Sequence, residues 1–502
     1  MILGIDVGTT AVKAILLDRN AQVIGLGIHP HDLHCPRPGW AQEDPEDWWA
    51  GVIAAVRTAL AGHAPSMLRG IGVCGMVPAI VLLDEAGCVI RPSIQQNDGR
   101  AVQEIEELRV GFPMGEFFRM TGAAWNQQVV GPKLLWIQRN EPEIWQRVRH
   151  IVGSYEYITR RLTGVTYCEA NWALESGLWD AGQNRWIPEL LNSVGIDETF
   201  LPSVRSSGEV VGLVAEEAAT ETSLPQGVPV IAGSADHISS MLPVGAIRPG
   251  HAVAKLGGAG DLLLTVDAFQ PVESLYIDYH CIPNLFVVNG CMATSGSVLK
   301  WFVRECSEGR SFAELDLEAE SVAAGCDGLV TLPYFLGEKT PIHDPLARGT
   351  MIGLSLSHRR VHIYRSILEG VAYAFRHHFD VLERAGHPIH CLSVTDGGAQ
   401  SDLWCKILAS VLQCPVVRSG SAPRGSAMGV ALAAGVSMQS WGWDMLGELQ
   451  GRADVFQSDL EDAKTYETLY GVYRRTYDQL QSLYPLLAGV QSAGSSVNDD
   501  RD

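Results

Sequence analysis

Basic residues are scarce in this 502-residue chain: 37 Lys and Arg stand against 57 Asp and Glu, for a formal net charge of −20. A polyanion approaching such a surface meets a repulsive field, so nucleic acid and an anionic membrane are disfavoured as partners. An anionic nucleotide then needs a local cation, backbone N–H groups or a helix N-terminus. The 11 cysteines form no C-x-x-C pair, which argues against a zinc ribbon or disulfide framework and predicts reduced thiols in the cytoplasm. His29, His31, His34 and Cys35 crowd one irregular stretch without the spacing of a strong metal site. No apolar run is long enough to span a bilayer, and no basic leader precedes an apolar segment, so a cytoplasmic protein is expected.

What is present describes a globular α/β chain, 46% hydrophobic and with 52 glycines. Its length exceeds what one core supports, so two domains enclosing a cleft are expected, with a boundary near residue 245. The opening GIDVGTTAVKAILLD reads as strand, glycine turn, strand, and VIGLGI adds a third strand. Pro45 opens a helix whose Trp48, Trp49, Val52 and Val56 recur at helical spacing. In the second half HAVAKLGGAGDLLLTV repeats the strand, turn, strand logic, and SVTDGGAQSDLWCKILASVL reads as strand, glycine turn, helix. Two related halves follow, spanning 1–245 and 246–487, with 488–502 as a flexible tail poor in apolar residues.

Asp6-Val7-Gly8-Thr9-Thr10 places an acid at a strand end and hydroxyls in a glycine turn. Such a turn lets N–H and O–H groups approach phosphate oxygens while the carboxylate holds hydrated Mg2+; an ordinary hairpin turn is the plainer use of the same residues. No G-x-x-x-x-G-K-[ST] or G-x-G-x-x-G accompanies this turn, which disfavours P-loop and dinucleotide folds. Gly257 and Gly258 form a second turn able to close on phosphates, and Gly397, Gly398, Gln400 and Ser401 a third suited to a nucleoside. Asp236 ends an apolar strand in a small-residue turn, where it can take a proton from a substrate hydroxyl or cap a helix. Asn97, Asp98 and Arg100 make a polar cluster able to bind vicinal hydroxyls.

Taken together, these motifs resemble the FGGY carbohydrate kinases over nearly the whole chain. GIDVGTTAVKAILLD is similar to that family's first phosphate motif, and PGWAQEDPEDWW to its Pro-Gly-Trp segment. GPKLLWIQRN and GTMIGLSLSHRRVHIYRSILEG match its two signatures, and DGGAQSDLWCKILASVLQCPV its adenosine motif. The resemblance implies two actin-like (ribonuclease H-like) domains, each a mixed sheet flanked by helices, with ATP and Mg2+ in the interdomain cleft. By the same resemblance Asp236 is the catalytic base, Asp6 and Asp236 flank the metal, and Gly8, Thr9, Thr10, Lys13, Gly257 and Gly258 meet the phosphates. Gly397, Gly398, Gln400 and Ser401 meet the nucleoside; Met76, Val77, Asn97, Asp98, Arg100, Asp236 and His237 meet the sugar. The nearest branch acts on xylulose, giving D-xylulose as the expected acceptor, with ribulose, L-xylulose, erythritol or a glycerol-like polyol as alternatives. Two stretches depart from that branch: Gly75-Met76-Val77-Pro78-Ala79 replaces its Gly-Gln-Met-His-Gly, and Asp236-His237 its Asp-Asn. The expected partners are sugar and ATP, with a homodimer as the candidate assembly. An actin-like ATPase would share the phosphate loops but has no use for Asp236 and the polar cluster, and the retained acids Asp6 and Asp236 speak against a silent sugar or nucleotide sensor.

Overall fold

The computed structural model describes residues 1–420, 425–448 and 453–495. Its first sheet has six strands in the order Val210–Leu213, Pro229–Ile231, Gly70–Gly75, Ile2–Val7, Ala11–Leu17, Val23–Pro30. The opening meander is antiparallel, whereas Ile2–Val7 runs parallel to Gly70–Gly75, which runs parallel to Pro229–Ile231. Ile2, Leu3, Ile5 and Val7 are all buried, as expected where helices cover both faces of a sheet. One cover is the helix Pro45–Leu60, begun by Pro45 and capped by Asp44, whose carboxylate accepts from the Glu46 N–H at 3.0 Å.

The second sheet has seven strands, Tyr276–Tyr279, Phe286–Met292, Gly260–Val266, His251–Leu256, Cys391–Thr395, Val416–Arg418 and Asp454–Phe456. Its inner five repeat the frame of the first: three antiparallel strands, then two joined in parallel. The two related halves read from the glycine turns are therefore two copies of one strand order, the mixed sheets flanked by helices that the resemblance implied.

A helix from late in the chain crosses back to the first sheet. Gly425–Ser437 is rich in glycine, alanine and serine, and its fit depends on glycine at two contacts. A Cβ on Gly4 would lie 2.0 Å from the Ala427 carbonyl oxygen, and one on Gly429 would lie 1.8 Å from that of Ser239. The helix thus rests directly on the first strand and on the short helix Asp236–Ser239. The GIGVCG run at 70–75, which is spelled like a dinucleotide fingerprint, is a buried strand of this sheet and no ligand turn. The helix Tyr484–Ser495 enters the segment expected as a tail, and 496–502 lie outside the described residues. Among the described residues no helix is long and apolar enough to cross a membrane.

Candidate active site in the interdomain cleft

Asp236 opens a short helix just beyond the strand Pro229–Ile231, where Ala235 bridges to Gly75. Its carboxylate is about one-third exposed and enters a cavity of about 230 Å³ between the domains. From the first domain Val77, Gln96, Gln128, Glu175 and His237 line that cavity. From the second come Lys255, Asp261, Tyr276, Asp278, Asn289 and Lys339. His237 bridges the two: its Nδ1 lies 3.6 Å from Asp236 Oδ1 and its Nε2 3.2 Å from Asp278 Oδ2. Burial works against the imidazolium, but the carboxylates of Asp236 and Asp278 outweigh it and raise the His237 pKa well above its ordinary value. Burial would likewise raise Asp236, yet His237 and Lys255 hold it below the usual carboxylate range, so it is kept ionised.

The edge strand Tyr276–Tyr279 is sewn to the first domain. Asn171 accepts from the Tyr279 N–H at 2.7 Å and donates to its carbonyl at 3.0 Å, and Asn126 donates to the Tyr276 hydroxyl at 3.4 Å. Gln96 is set from below: the buried Lys133 donates to the Gln95 and Gln96 carbonyls at 2.8 and 3.1 Å. Burial drives that ammonium down to about 7, which is consistent with carbonyls as its hydrogen-bond partners.

Asp6 is 4% exposed at the end of the first strand. Its Oδ2 accepts from Ser426 Oγ at 2.6 Å, a contact supplied by the crossing helix. Burial and the nearby Asp236 carboxylate push its pKa up to about 6, against the pull of Ser426, Lys13 and Lys255. A pair of acids in this state suits a divalent cation, which would relieve their mutual repulsion. Gly8 is half-buried and Thr9, Thr10 and Lys13 are exposed around the turn, whose Gly8 N–H donates to the Ala11 carbonyl at 3.2 Å. Opposite, Gly257 is half-buried and Gly258 exposed; a Cβ on Gly257 would lie 3.2 Å from Asp396 Oδ2, so the second and third glycine turns adjoin. Gly397 and Gln400 are exposed and Gly398 is half-buried, while the Ser401 hydroxyl caps the helix Asp402–Leu412 by accepting from the Trp404 N–H at 3.0 Å.

Several expected sugar contacts have other employment. Met76 is 1% exposed in the first core, with only Val77 of that pair reaching the cavity. Asp98 is fully buried: it accepts the Ala41 N–H at 2.6 Å and two guanidinium bonds of 2.8 Å from Arg100. Arg100 in turn lies 3.9 Å over the Trp40 ring and 5.0 Å from that of Trp136. This knot fastens the Pro-Gly-Trp segment to the helix Val130–Asn140; the Asp98 oxygens are fully engaged, and neither Asp98 nor Arg100 lines the cavity. Asn97 is exposed beside it and does not line the cavity. Among the polar residues that do, Asp278 and Asn289 sit inside the apolar strands YIDY and FVVNGCM; an acid or amide interrupting such a run is the signal by which the sequence marks them.

Both halves of the chain match known proteins. Residues 1–243 match the N-terminal domain model, and 256–438 the C-terminal domain model, of the FGGY family of carbohydrate kinases. The xylulose kinase of Escherichia coli (strain K12) is 29% identical over 491 residues, 97% of this chain and 100% of that one. The crystal structure of xylulose kinase from Rhodospirillum rubrum superposes with a TM-score of 0.90 at 41% identity, covering 96% of this chain and 99% of that chain. The gluconokinase of Bacillus subtilis (strain 168) is 25% identical over 501 residues, 97% of this chain and 98% of that one.

Proposed function

Because the chain belongs to the FGGY family of carbohydrate kinases, ATP-dependent phosphotransferases, we propose that it phosphorylates a terminal hydroxyl of a neutral ketose, D-xylulose above all. The observation that carries this reading is the cavity that Asp236 shares with both domains. At about 230 Å³ it lies below the common range for drug-sized ligands and suits a pentulose. Its amides Gln96, Gln128 and Asn289 can pair with hydroxyls. The carboxylates of Glu175 and Asp278 face the same space, and the ligating atoms of Glu175, His237 and Asp278 lie within 4.8 Å of one another. A sugar acid, the kind of acceptor named for the gluconokinase relative, would set its own carboxylate beside that of Asp278, in a space that Lys255, Lys339 and His237 also line.

In this reading the acceptor hydroxyl gives its proton to Asp236 as its oxygen bonds to the γ-phosphorus and the bond to the β-phosphate oxygen breaks. His237 keeps Asp236 ionised, and the edge strand Tyr276–Tyr279 closes water out. Thr9, Thr10, Lys13, Gly257 and Gly258 hold the phosphates, and Gly397, Gly398 and Gln400 the nucleoside. Asp6 and Asp236 would hold Mg2+, whose charge, when bound, neutralises the β- and γ-oxygens. The domain boundary falls near 245, between the two sheets.

An ATP-coupled assay with D-xylulose, L-xylulose, ribulose, erythritol, glycerol and gluconate tests the acceptor: turnover highest on the pentuloses and absent on gluconate is expected. Asp236→Asn is expected to cut kcat by at least about a hundredfold with ATP affinity nearly unchanged. Retained turnover would place the base elsewhere.

A further inference from the structure

Thr9 and Thr10 give the first hairpin turn two hydroxyls, whereas the second turn, Gly257-Gly258-Ala259, has none. A cation stands in its place. Lys255 is the next-to-last residue of the strand His251–Leu256 and is paired in register with Asp261. In the other copy of the frame, Asp6 is next-to-last in Ile2–Val7 and paired with Lys13. The two positions are equivalent and their charges inverted.

Lys255 lies on the strand face that also carries Val253, which packs in the core shared with the first domain. Its side chain is 20% exposed and lines the cavity beside Asp236. Its nearest carboxylate oxygen, Asp261 Oδ2, is 3.9 Å from Nζ, beyond hydrogen-bond reach. An ammonium next to the base, at the foot of a phosphate turn and with its donors unspent, has the position and chemistry to meet a phosphoryl group in flight.

We propose that Lys255 is a further catalytic residue of this kinase, donating an N–H to an equatorial oxygen of the γ-phosphoryl as it passes from ATP to the acceptor. The inference rests on the kinase reading above. Lys255 keeps its proton throughout; the acceptor hydroxyl's proton goes to Asp236, the new bond is acceptor oxygen to phosphorus, and the bond broken is phosphorus to the β-phosphate oxygen. The charge that spreads over the three equatorial oxygens is what the ammonium stabilises.

The test is Lys255→Met, with kinetics and with binding of magnesium ADP–aluminium fluoride, a planar phosphoryl mimic, in the presence of D-xylulose. The expected result is a kcat lower by at least about a hundredfold, KM values for ATP and acceptor within a few-fold, and a comparable loss of affinity for the mimic but not for ADP. Lys255→Arg should regain part of both losses. Unchanged kcat overturns the proposal, and so does a lower kcat with unaltered affinity for the mimic, since Lys255 would then act only by neutralising the acids around it. Melting temperature and ADP affinity report folding; should the Met variant not fold, Lys255→Gln carries the same comparison. Asp236→Asn keeps the two readings apart: turnover surviving there removes the base and leaves the cation, whereas turnover surviving in Lys255→Met removes the cation and leaves the base.

Discussion

In the first hairpin a buried carboxylate stands at the strand end and hydroxyls occupy the turn; in the second an ammonium stands at the matching position and the turn is bare glycine and alanine. The strand order beneath them is the same. The shared strand order therefore sets where each strand stops and which way its penultimate side chain looks, and leaves the charge at that point free to differ. One lobe can then hold a cation against a triphosphate while the other answers the phosphate's own charge. A cleft lined by two identical lobes would do only one of these. The acid is the costlier member, because it is nearly dry and sits close to a second carboxylate.

That cost gives the largest expected effect. Asp6→Asn should lower kcat by about a thousandfold, because it removes one of the two carboxylates proposed to hold Mg2+. The same change should stabilise the fold at high pH. The folded pKa of Asp6 is about 6 against an ordinary 3.8, so ionising it penalises the native state progressively as pH rises between those values. At pH 8 the penalty is complete, about 3 kcal/mol, and the amide escapes it. Thermal melts should place the variant above the unaltered protein at pH 8 and converge with it near pH 4. An equal or lower melting temperature at pH 8 would mean that the Asp6 carboxylate is already paid for by its neighbours, and the contrast between the hairpins would lose its physical basis.

A smaller effect is expected where a buried acid serves the fold alone. Asp98→Ala leaves the Arg100 guanidinium buried without its partner, at a cost of about 3–5 kcal/mol. Urea unfolding should register that loss, while the acceptor KM of the folded enzyme stays nearly constant. A raised KM with undiminished stability would return Asp98 to the sugar site and make the cleft acids less distinctive.

This pair of acids also marks how far the sequence could be read. Turns, strand ends and the repeat were legible, because glycine, apolar alternation and the acids Asp6 and Asp236 act locally in the chain. The cavity's far wall was not. Glu175, Asp278 and Asn289 come together only through packing between the two domains, and each lies in a segment whose pattern reads as core. The Asn97, Asp98, Arg100 cluster misled for the converse reason: its polarity is evident in sequence, while the Trp40 and Trp136 rings that absorb Arg100 are brought to it by the fold.

The mildest change probes the second turn itself. Gly258 is exposed, and a Cβ there would meet no atom within 4 Å, so Gly258→Ala should leave stability untouched. A methyl group on that surface would nevertheless hold phosphate oxygens away from the backbone N–H groups. The expected outcome is an ATP KM raised about fivefold, equivalent to about 1 kcal/mol, with kcat and acceptor KM little changed. Gly8 is less open, since its Cβ would stand 3.3 Å from the Ala11 carbonyl oxygen; Gly8→Ala should raise the same KM and lower the melting temperature as well. If Gly258→Ala raised the acceptor KM instead, the second turn would belong to the sugar side of the cleft, and Lys255 behind it would have to be reconsidered as a sugar ligand.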